Sequence, residues 1–281
     1  MDTARAVLVT GATSGIGYAT ARELTRAGWH VLLCGRDRRT AEAAANRLRG
    51  EAPAVDVHPV HCDHTRLADV RDFADWITAA TRNNGGLAAI ILAAAVANPP
   101  GRRTVDGLET TLTVNHLAPY LLRERLGPVL AANGGRVVLI GSSQHTLVKA
   151  SDLDPAIFTA ERAGAVRRYE VTKLLTLLTL RAHQLAAQAP VHVGVDPGFV
   201  RTNLGRSASG TVRVLLTVTR PIQASPQRPA RLIRRVLEDA AVHDGAYLDE
   251  KGPARRSPLT LNDEAARTWE TWTRSVLHPW L

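Results

Sequence analysis

A tyrosine and a lysine four residues apart, Tyr169 and Lys173, have the types and spacing of a proton-transfer pair. On a helix both side chains lie on one face. A phenol in water has a pKa near ~10, too high for a base at neutral pH, and a nearby ammonium lowers that pKa. The pair could therefore pass a proton to or from an alcohol oxygen. A core tyrosine beside a surface lysine is the alternative that the spacing leaves open.

Two serines and an asparagine could complete such a site. Ser142 and Ser143 follow an apolar run that ends at Ile140, and a hydroxyl at a strand tip can hold a carbonyl oxygen. Asn115 lies inside a predicted helix, from which its amide could bridge water or backbone towards Lys173. The structural alternatives are a turn or helix cap for the serines and a helix-bending polar residue for Asn115.

A glycine-bearing turn, Thr10-Gly11-Ala12-Thr13-Ser14-Gly15-Ile16-Gly17, joins the first predicted strand to the first helix. Glycines at this junction permit a tight turn and let the backbone approach a pyrophosphate, which the helix N-terminus stabilises. The pattern therefore indicates a dinucleotide site, with a plain tight turn as the alternative.

The tips of the next two predicted strands carry charged residues that a dinucleotide could contact. Arg36 follows Gly35, where an acidic residue would favour NAD(H), so a guanidinium there favours the 2′-phosphate of NADP(H). Asp37 could pair with Arg36 or with a ribose, and Arg36 could equally be a solvated loop cation. Asp63 could accept a hydrogen bond from adenine or cap the helix that starts near Thr65.

The elements that must position these residues alternate along the chain. Short apolar segments predict strands at residues 6–9, 30–34, 57–61, 88–93, 136–140, 191–195 and 246–248. Helical patterns occupy residues 16–27, 40–49, 67–80, 108–131, 165–187, 229–240 and 262–276. Within the fourth helix, Pro119 and Pro128 are expected to bend and stop it.

This alternation predicts an α/β fold with a single doubly wound, Rossmann-type parallel sheet and helices on both faces. Residues 1–281 are expected to form one domain, with an excursion at about 201–228 that lies over the site as a lid. Ligands of such sheets bind at the carboxyl ends of the strands. The two long helices, 108–131 and 165–187, could pair in a homodimer.

Composition narrows the classes of partner. The 281 residues carry a formal charge of +9. The arginines are scattered and aromatic residues make up only 4%, which argues against a nucleic-acid partner. Cys34 and Cys62 end apolar segments, which indicates a reducing compartment, and with no visible signal peptide we expect a cytoplasmic protein. Residues 87–97 are too short to span a bilayer, so membrane association is not expected. No metal site is predicted.

The order of these motifs resembles the short-chain dehydrogenase/reductase family over nearly the whole chain. Asp196-Pro197-Gly198-Phe199-Val200-Arg201-Thr202 is similar to the family's segment that closes over the nicotinamide. The tail, with Gly245-Ala-Tyr-Leu-Asp and Asn262-Asp-Glu-Ala-Ala-Arg-x-Trp269, resembles the retinol-dehydrogenase-like branch.

The resemblance implies roles for individual residues. Tyr169 would be the general acid/base, Lys173 would lower its pKa and hold the ribose, Asn115 would support the proton relay, and Ser142, preferred over Ser143, would position the carbonyl. The implied cofactor contacts, together with Arg36 and Asp63, are Gly11, Ser14, Gly15, Ile16, Gly17, Ala94, Tyr169, Lys173, Pro197, Gly198, Val200 and Thr202.

One stretch departs from the family pattern. Where the family usually has Asn-Asn-Ala-Gly, this chain has Leu92-Ala93-Ala94-Ala95, which removes two side chains that brace the sheet near the adenosine ribose. The resemblance favours an NADP(H)-dependent oxidoreductase that interconverts a carbonyl and an alcohol on a small, lipophilic molecule. The departure keeps open a second function, a dinucleotide-binding protein with little or no redox activity.

Overall fold

The computed structural model describes residues 5–82, 86–97, 103–159, 164–200 and 224–281. The excursion predicted at 201–228 therefore falls mostly outside the described residues, which resume at Ala224. Within them, one sheet contains eight strands in the order β3-β2-β1-β4-β5-β6-β7-β8. The strands are β1 Ala6–Val9, β2 His30–Gly35, β3 Val57–His61, β4 Leu87–Leu92, β5 Arg136–Ile140, β6 Val191–Val195, β7 Tyr247–Asp249 and β8 Gly252–Pro253.

The first seven strands pair in parallel, so the doubly wound α/β fold is confirmed. Strand order reverses between β1 and β4, and a ligand crevice is expected where the connections diverge in this way. β8, which pairs antiparallel with β7, was not predicted. At two residues, Gly252–Pro253, it is too short to show any alternation of apolar and polar residues.

Helices cover both faces of the sheet. They are α1 Gly15–Arg26, α2 Arg38–Glu51, α3 Leu67–Thr81, α4 Thr110–Leu112, α5 Ala118–Ala132, α6 Ala165–Ala186, α7 Gln227–Glu238 and α8 Asp263–Leu277. A π-helical turn, Thr113–Leu117, connects α4 to α5 and interrupts what the sequence predicted as one helix. The interruption lies two residues before Pro119, the predicted bend.

Pro128 does not stop the helix, contrary to the prediction, because α5 continues through it to Ala132. A proline inside a helix costs about 3 kcal/mol. On either side of it, Leu126 and Leu130 are fully buried, and each buried leucine contributes about 1.5–3 kcal/mol. The buried leucines offset the lost hydrogen bond and keep the segment helical.

Alternation along the central strands divides the core into two layers. In β1, Leu8 points into the layer shared with α3, α5, α6 and α8, whereas Val7 and Val9 point into the layer shared with α1, α2 and α7. Successive side chains of a strand face opposite sides of its sheet, so an uninterrupted apolar run serves both layers. This explains why the buried strands were recognisable from sequence.

α8 packs along α6 and reaches α5. Arg181 of α6 donates from Nε to Asp263 Oδ1 at 2.8 Å, and His116 Nε2 lies 2.8 Å from Thr273 Oγ1. The closing helix thus covers part of the surface that the sequence analysis considered for a homodimer, and a dimer stays a prediction. No helix in the described part of the chain is long and apolar enough to span a bilayer.

Candidate active site

The side chains predicted to do chemistry converge at the carboxyl edge of the sheet. Tyr169 and Lys173 lie on α6, Ser142 follows the end of β5, and Asn115 lies in the π-helical turn beside α6. The hydroxyls of Ser142 and Tyr169 interact with each other. Asn115 Nδ2 donates to Thr172 Oγ1 at 3.2 Å. The side chains that proton transfer would require therefore lie together at this edge of the sheet.

Tyr169 keeps its proton in the protein alone. Burial of the ring raises its pKa to about 12, the interaction with the Ser142 side chain opposes that rise, and the Asp196 carboxylate adds to it. The sequence analysis expected Lys173 to lower this pKa, and that role stays a prediction. In the protein alone, removal of water from the phenolate dominates the shift.

Lys173 is buried, and its Nζ donates to the main-chain carbonyl of Ile140 at 2.9 Å. The same nitrogen lies 5.8 Å from the centroid of the Tyr169 ring. Burial lowers the pKa of Lys173 to about 8, and the nearby Asp196 carboxylate partly opposes this. At neutral pH the site therefore holds an ammonium that is close to releasing its proton.

Ser142, rather than Ser143, faces the tyrosine. Ser143 is exposed, and its carbonyl accepts a bond from the Thr146 hydroxyl. The fully buried His145 fixes the turn at Ser142: its Nε2 accepts from the main-chain N–H of Ser257 at 3.2 Å, so its Nδ1 carries the proton that reaches Ser142 O at 2.5 Å. The preference for Ser142 drawn from the sequence agrees with this arrangement.

Asn115 ties two segments together. Its Oδ1 accepts from the N–H of Val96 at 2.8 Å and its Nδ2 donates to the carbonyl of Val96 at 2.9 Å. The π-helical turn adds a residue to the helix and is often found at functional sites. The amide therefore connects the segment after β4 to Thr172, the neighbour of Lys173.

A second tyrosine lies next to the serine, and the sequence analysis missed it. The Tyr247 hydroxyl donates to Asp196 Oδ2 at 2.9 Å and approaches the main-chain N–H of Ser142. A Cβ placed on Gly141 would lie 2.7 Å from the Tyr247 hydroxyl. The sequence analysis noted Tyr247 only within the tail motif Gly245-Ala-Tyr-Leu-Asp and gave it no role in the site.

The glycine turn has the conformation that a dinucleotide site needs. Gly11 and Gly15 have φ of +63° and +57°, which favour glycine. A Cβ on Gly17 would lie 2.4 Å from the Gly11 carbonyl oxygen, so Gly17 lets α1 approach the turn. Side chains at these positions would push the first helix away from β1.

The N-terminus of α1 has the features of an anion site. Ser14 is exposed and its side chain caps no helix N–H, and the first turn carries no acidic residue. The first N–H groups of a helix lack partners within it and attract phosphate. Gly15, Ile16 and Gly17 supply those groups here, as the motif predicted.

Thr10 holds the main chain of the Leu92-Ala93-Ala94-Ala95 stretch, which departs from the family pattern. The Thr10 hydroxyl accepts from the N–H groups of Ala93 and Ala94, at 3.0 and 3.1 Å, and contacts the Ile91 carbonyl at 3.3 Å. A Cβ on Gly11 would lie 2.8 Å from Ala94 Cα, so the two strand ends are in close contact. Ala94 therefore lies beside the glycine turn.

Arg36 and Asp37 have different environments. Asp37 caps α2, because its Oδ1 accepts from the N–H of Thr40 at 2.8 Å, and this bond lowers the Asp37 pKa. Arg36 is exposed at the tip of β2. The cap gives Asp37 a structural role and leaves the guanidinium facing solvent beside the glycine turn.

Asp63 forms a turn instead of capping a helix. Its Oδ1 accepts from the N–H and the hydroxyl of Thr65, at 3.0 and 2.8 Å. The predicted capping role is wrong, because α3 begins later, at Leu67, and Asp106 accepts a bond from the Leu67 N–H. An adenine contact by Asp63 stays a prediction.

The segment after β6 is described as far as Val200. Gly198 has φ of +67°, and its N–H donates to Asp196 Oδ1 at 2.9 Å, which shapes the turn at Pro197. Val200 forms a single parallel bridge with Ala224. Thr202, an implied cofactor contact, lies outside the described residues.

These features together fit a nicotinamide dinucleotide. The close contacts at Gly11 and Gly17 shape the turn, and the N–H groups at the start of α1 would hold the pyrophosphate. Lys173 and Tyr169 lie at the same carboxyl edge of the sheet and would hold the nicotinamide end. When bound, the dinucleotide supplies or accepts the hydride.

Comparisons with known proteins agree with this geometry. Residues 5–151 match the family model for short chain dehydrogenase. Human retinol dehydrogenase 13 is 30% identical over 97% of this chain and 83% of its own length, and human polyprenol dehydrogenase is 31% identical over 71% and 62%. A short-chain dehydrogenase from Sphingobium yanoikuyae, solved in complex with NADPH, superposes with a TM-score of 0.63 at 25% identity, covering 83% of this chain and 84% of that one.

The match covers more than half of the chain, and the relatives are dehydrogenases by name. The chain therefore belongs to the short-chain dehydrogenase/reductase family, in its retinol-dehydrogenase-like branch, and is an oxidoreductase of CH–OH and C=O groups.

Proposed function

We propose that this protein interconverts a carbonyl and an alcohol on a small lipophilic molecule, with NADP(H) as its preferred cofactor. The observation that carries this proposal is the convergence of Ser142, Tyr169 and Lys173 beside the glycine turn. A relative named polyprenol dehydrogenase and a neighbour in complex with NADPH support the substrate class and the cofactor.

In this function each residue has a separate role in the transfer of one proton. Ser142 donates a hydrogen bond to the substrate oxygen and places it against the Tyr169 hydroxyl. Tyr169 is protonated in the protein alone, so it is ready to give a proton to an alkoxide during carbonyl reduction. Lys173 holds positive charge within the same site, and Asn115 fixes the turn of α6 that carries the lysine.

The preference for NADP(H) follows from the tip of β2. Arg36 is exposed there, and Asp37 is engaged in capping α2. A free guanidinium can bind the 2′-phosphate of NADPH through two hydrogen bonds, and a capped aspartate competes less for it. We further propose a reducing, cytoplasmic location, since Cys34 and Cys62 are both buried free thiols.

Oxidation of NADPH in the presence of a panel of ketones and aldehydes tests this function. Tyr169→Phe should remove turnover on every active substrate and leave NADPH affinity within about twofold, because the hydroxyl moves the proton. Tyr18→Phe, in α1 with Arg47 over its ring, is the matched control and should leave turnover unchanged. Full turnover in Tyr169→Phe would contradict the proposed mechanism.

The second function, a dinucleotide-binding protein without redox activity, rests on the Leu92-Ala93-Ala94-Ala95 stretch. Thr10 weakens this alternative, because its hydroxyl binds the main chain that the missing asparagines would have braced. Tight NADPH binding with no turnover on any carbonyl in the panel would favour it.

A further inference from the structure

Three residues of metal-binding types, two histidines and an aspartate, meet at the edge of the sheet opposite the candidate active site. His183 lies near the end of α6, His192 lies in β6, and Asp244 lies in the loop before β7. One nitrogen of each imidazole and one carboxylate oxygen all lie within 4.8 Å of one another. Asp244 lies 52 positions after His192, and the two histidines lie on different elements, so no short ligand motif marked the cluster in the sequence.

Pro190 determines which imidazole nitrogens carry protons. Its carbonyl oxygen lies 2.8 Å from His183 Nε2 and 2.8 Å from His192 Nδ1. A carbonyl only accepts hydrogen bonds, so both nitrogens donate. His192 Nε2 is therefore left with a lone pair, and it is buried with no partner among the residues that the structure describes.

The lone pair has the surroundings of a metal ligand. Metal-bound histidines commonly donate their other ring N–H to a backbone carbonyl, as His192 Nδ1 does here. Both imidazoles are buried, so the unpartnered nitrogen of His192 is held away from bulk solvent.

Asp244 contributes a carboxylate to the cluster, and its partial exposure opens the cluster to solvent. One of its oxygens, Oδ1, accepts from the His192 main-chain N–H at 2.7 Å and lies 3.6 Å from His183 Nε2. The Asp244 side chain is 29% exposed, so an ion can reach the cluster from solvent. The imidazole rings are stacked, with their centroids 3.5 Å apart and their planes tilted by 31°.

We propose that His183, His192 and Asp244 bind a transition-metal dication of the zinc class, with water completing the coordination. Two imidazoles and one carboxylate suit zinc and similar ions better than magnesium or calcium. To coordinate through Nε2, His183 transfers its ring proton to Nδ1 and exchanges its bond to Pro190 for a bond to the metal. The ion would tie α6 to β6 and to the loop before β7.

Metal content of the full-length, tag-free protein tests this site. After treatment with a chelator, the protein is dialysed against micromolar Zn²⁺ and analysed for bound zinc, and Co²⁺ is used in parallel for its visible spectrum. We expect about one Zn²⁺ per chain, a Co²⁺ spectrum of low coordination number, and a rise in melting temperature with Zn²⁺.

Asp244→Asn is the decisive variant, because an asparagine oxygen can still accept the His192 N–H and so preserve the loop. It should weaken zinc binding at least tenfold, and His192→Gln should abolish it. His58→Gln removes an exposed histidine that pairs with Asp56 at 3.0 Å, and it should bind zinc like the wild type.

The outcomes are decisive in either direction. Less than about a tenth of an equivalent of zinc in the wild type overturns the proposal, as does equal binding by Asp244→Asn and the wild type. If His192→Gln fails to fold, Asp244→Asn decides alone. Tyr169→Phe should bind zinc normally, so the result is independent of the proposed redox function.

Discussion

The Lys173 ammonium donates a hydrogen bond to the carbonyl of Ile140, the last residue of β5, at 2.9 Å. The bond joins α6 to the strand that leads into Ser142. It also places a charged group in a buried environment that lowers its pKa to about 8. The same side chain therefore organises the site and makes the stability of the protein depend on pH.

We expect the free energy of unfolding to rise between about pH 8 and pH 10 through Lys173. Its pKa is about 8 when folded and near ~10.5 when unfolded, so in this window the unfolded chain binds more protons. The full effect of such a shift is about 3 kcal/mol. Below pH 8 the cost of the buried charge is fully present.

Urea denaturation of the wild type and Lys173→Met at pH 7 and pH 9.5 measures this effect. The wild type should gain stability relative to Lys173→Met as the pH rises. Subtracting the variant removes the contributions of other groups that titrate in both proteins. A constant difference between the two proteins across this range would show that the lysine is not buried as described.

Gly141→Ala should destabilise the protein by about 1–3 kcal/mol, since the new methyl group overpacks a filled space. A Cβ there would lie 2.7 Å from both the hydroxyl and Cε2 of Tyr247. Tyr247→Leu removes those atoms. In a double-mutant cycle by thermal denaturation, the two changes together should cost less than their sum.

Gly127→Ala is the matched control for Gly141→Ala, because a Cβ at Gly127 meets no atom within 4 Å. It should leave stability unchanged or increase it, since alanine favours a helix. Strict additivity of Gly141→Ala and Tyr247→Leu would mean that the two residues do not contact each other in solution.

Thr10→Val should lower both stability and NADPH affinity. The change removes the acceptor of the Ala94 N–H and leaves the Ala93 N–H with the Ile91 carbonyl at 3.1 Å, and an unsatisfied buried group costs about 1–3 kcal/mol. Denaturation and NADPH titration by calorimetry measure the two effects. Thr78→Val, which removes only a local helix bond to Ala74, is the control. Equal effects of both variants would argue against a bracing role for Thr10.

Arg36→Ala should raise the KM for NADPH about tenfold or more and leave the KM for NADH nearly unchanged. The reason is that only NADPH carries the 2′-phosphate that the guanidinium would bind. Arg39→Ala, an exposed change inside α2, serves as the comparison and should affect both cofactors little. Parallel rises in both KM values for Arg36→Ala would point to general charge attraction.

The sequence identified the strands best where burial on both faces left an unbroken apolar run. β1, β5 and β6 have the predicted bounds, and the side chains of Tyr169 and Ser142 contact each other. The signals for these features are local: a strand tip, a spacing of four or a glycine turn.

The missed features depend on contacts between distant parts of the chain. Tyr247 and Asp196, which are 51 positions apart in sequence, are joined by a hydrogen bond, and no periodic pattern in the sequence predicts it. The stop expected at Pro128 failed because buried leucines in the same helix outweigh the proline. The raised pKa of Tyr169 likewise follows from burial, which sequence spacing does not reveal.

The packing of α8 on α6 also has a consequence for folding during synthesis. Trp269 and Leu277 enter the same apolar layer as Leu174 and Leu177, yet they follow those leucines by more than ninety positions. During synthesis, the leucines of α6 leave the ribosome before α8, which covers them in the folded protein, has been made. The nascent protein is therefore most prone to aggregate during that interval, and this is when a chaperone that binds apolar helices would be needed.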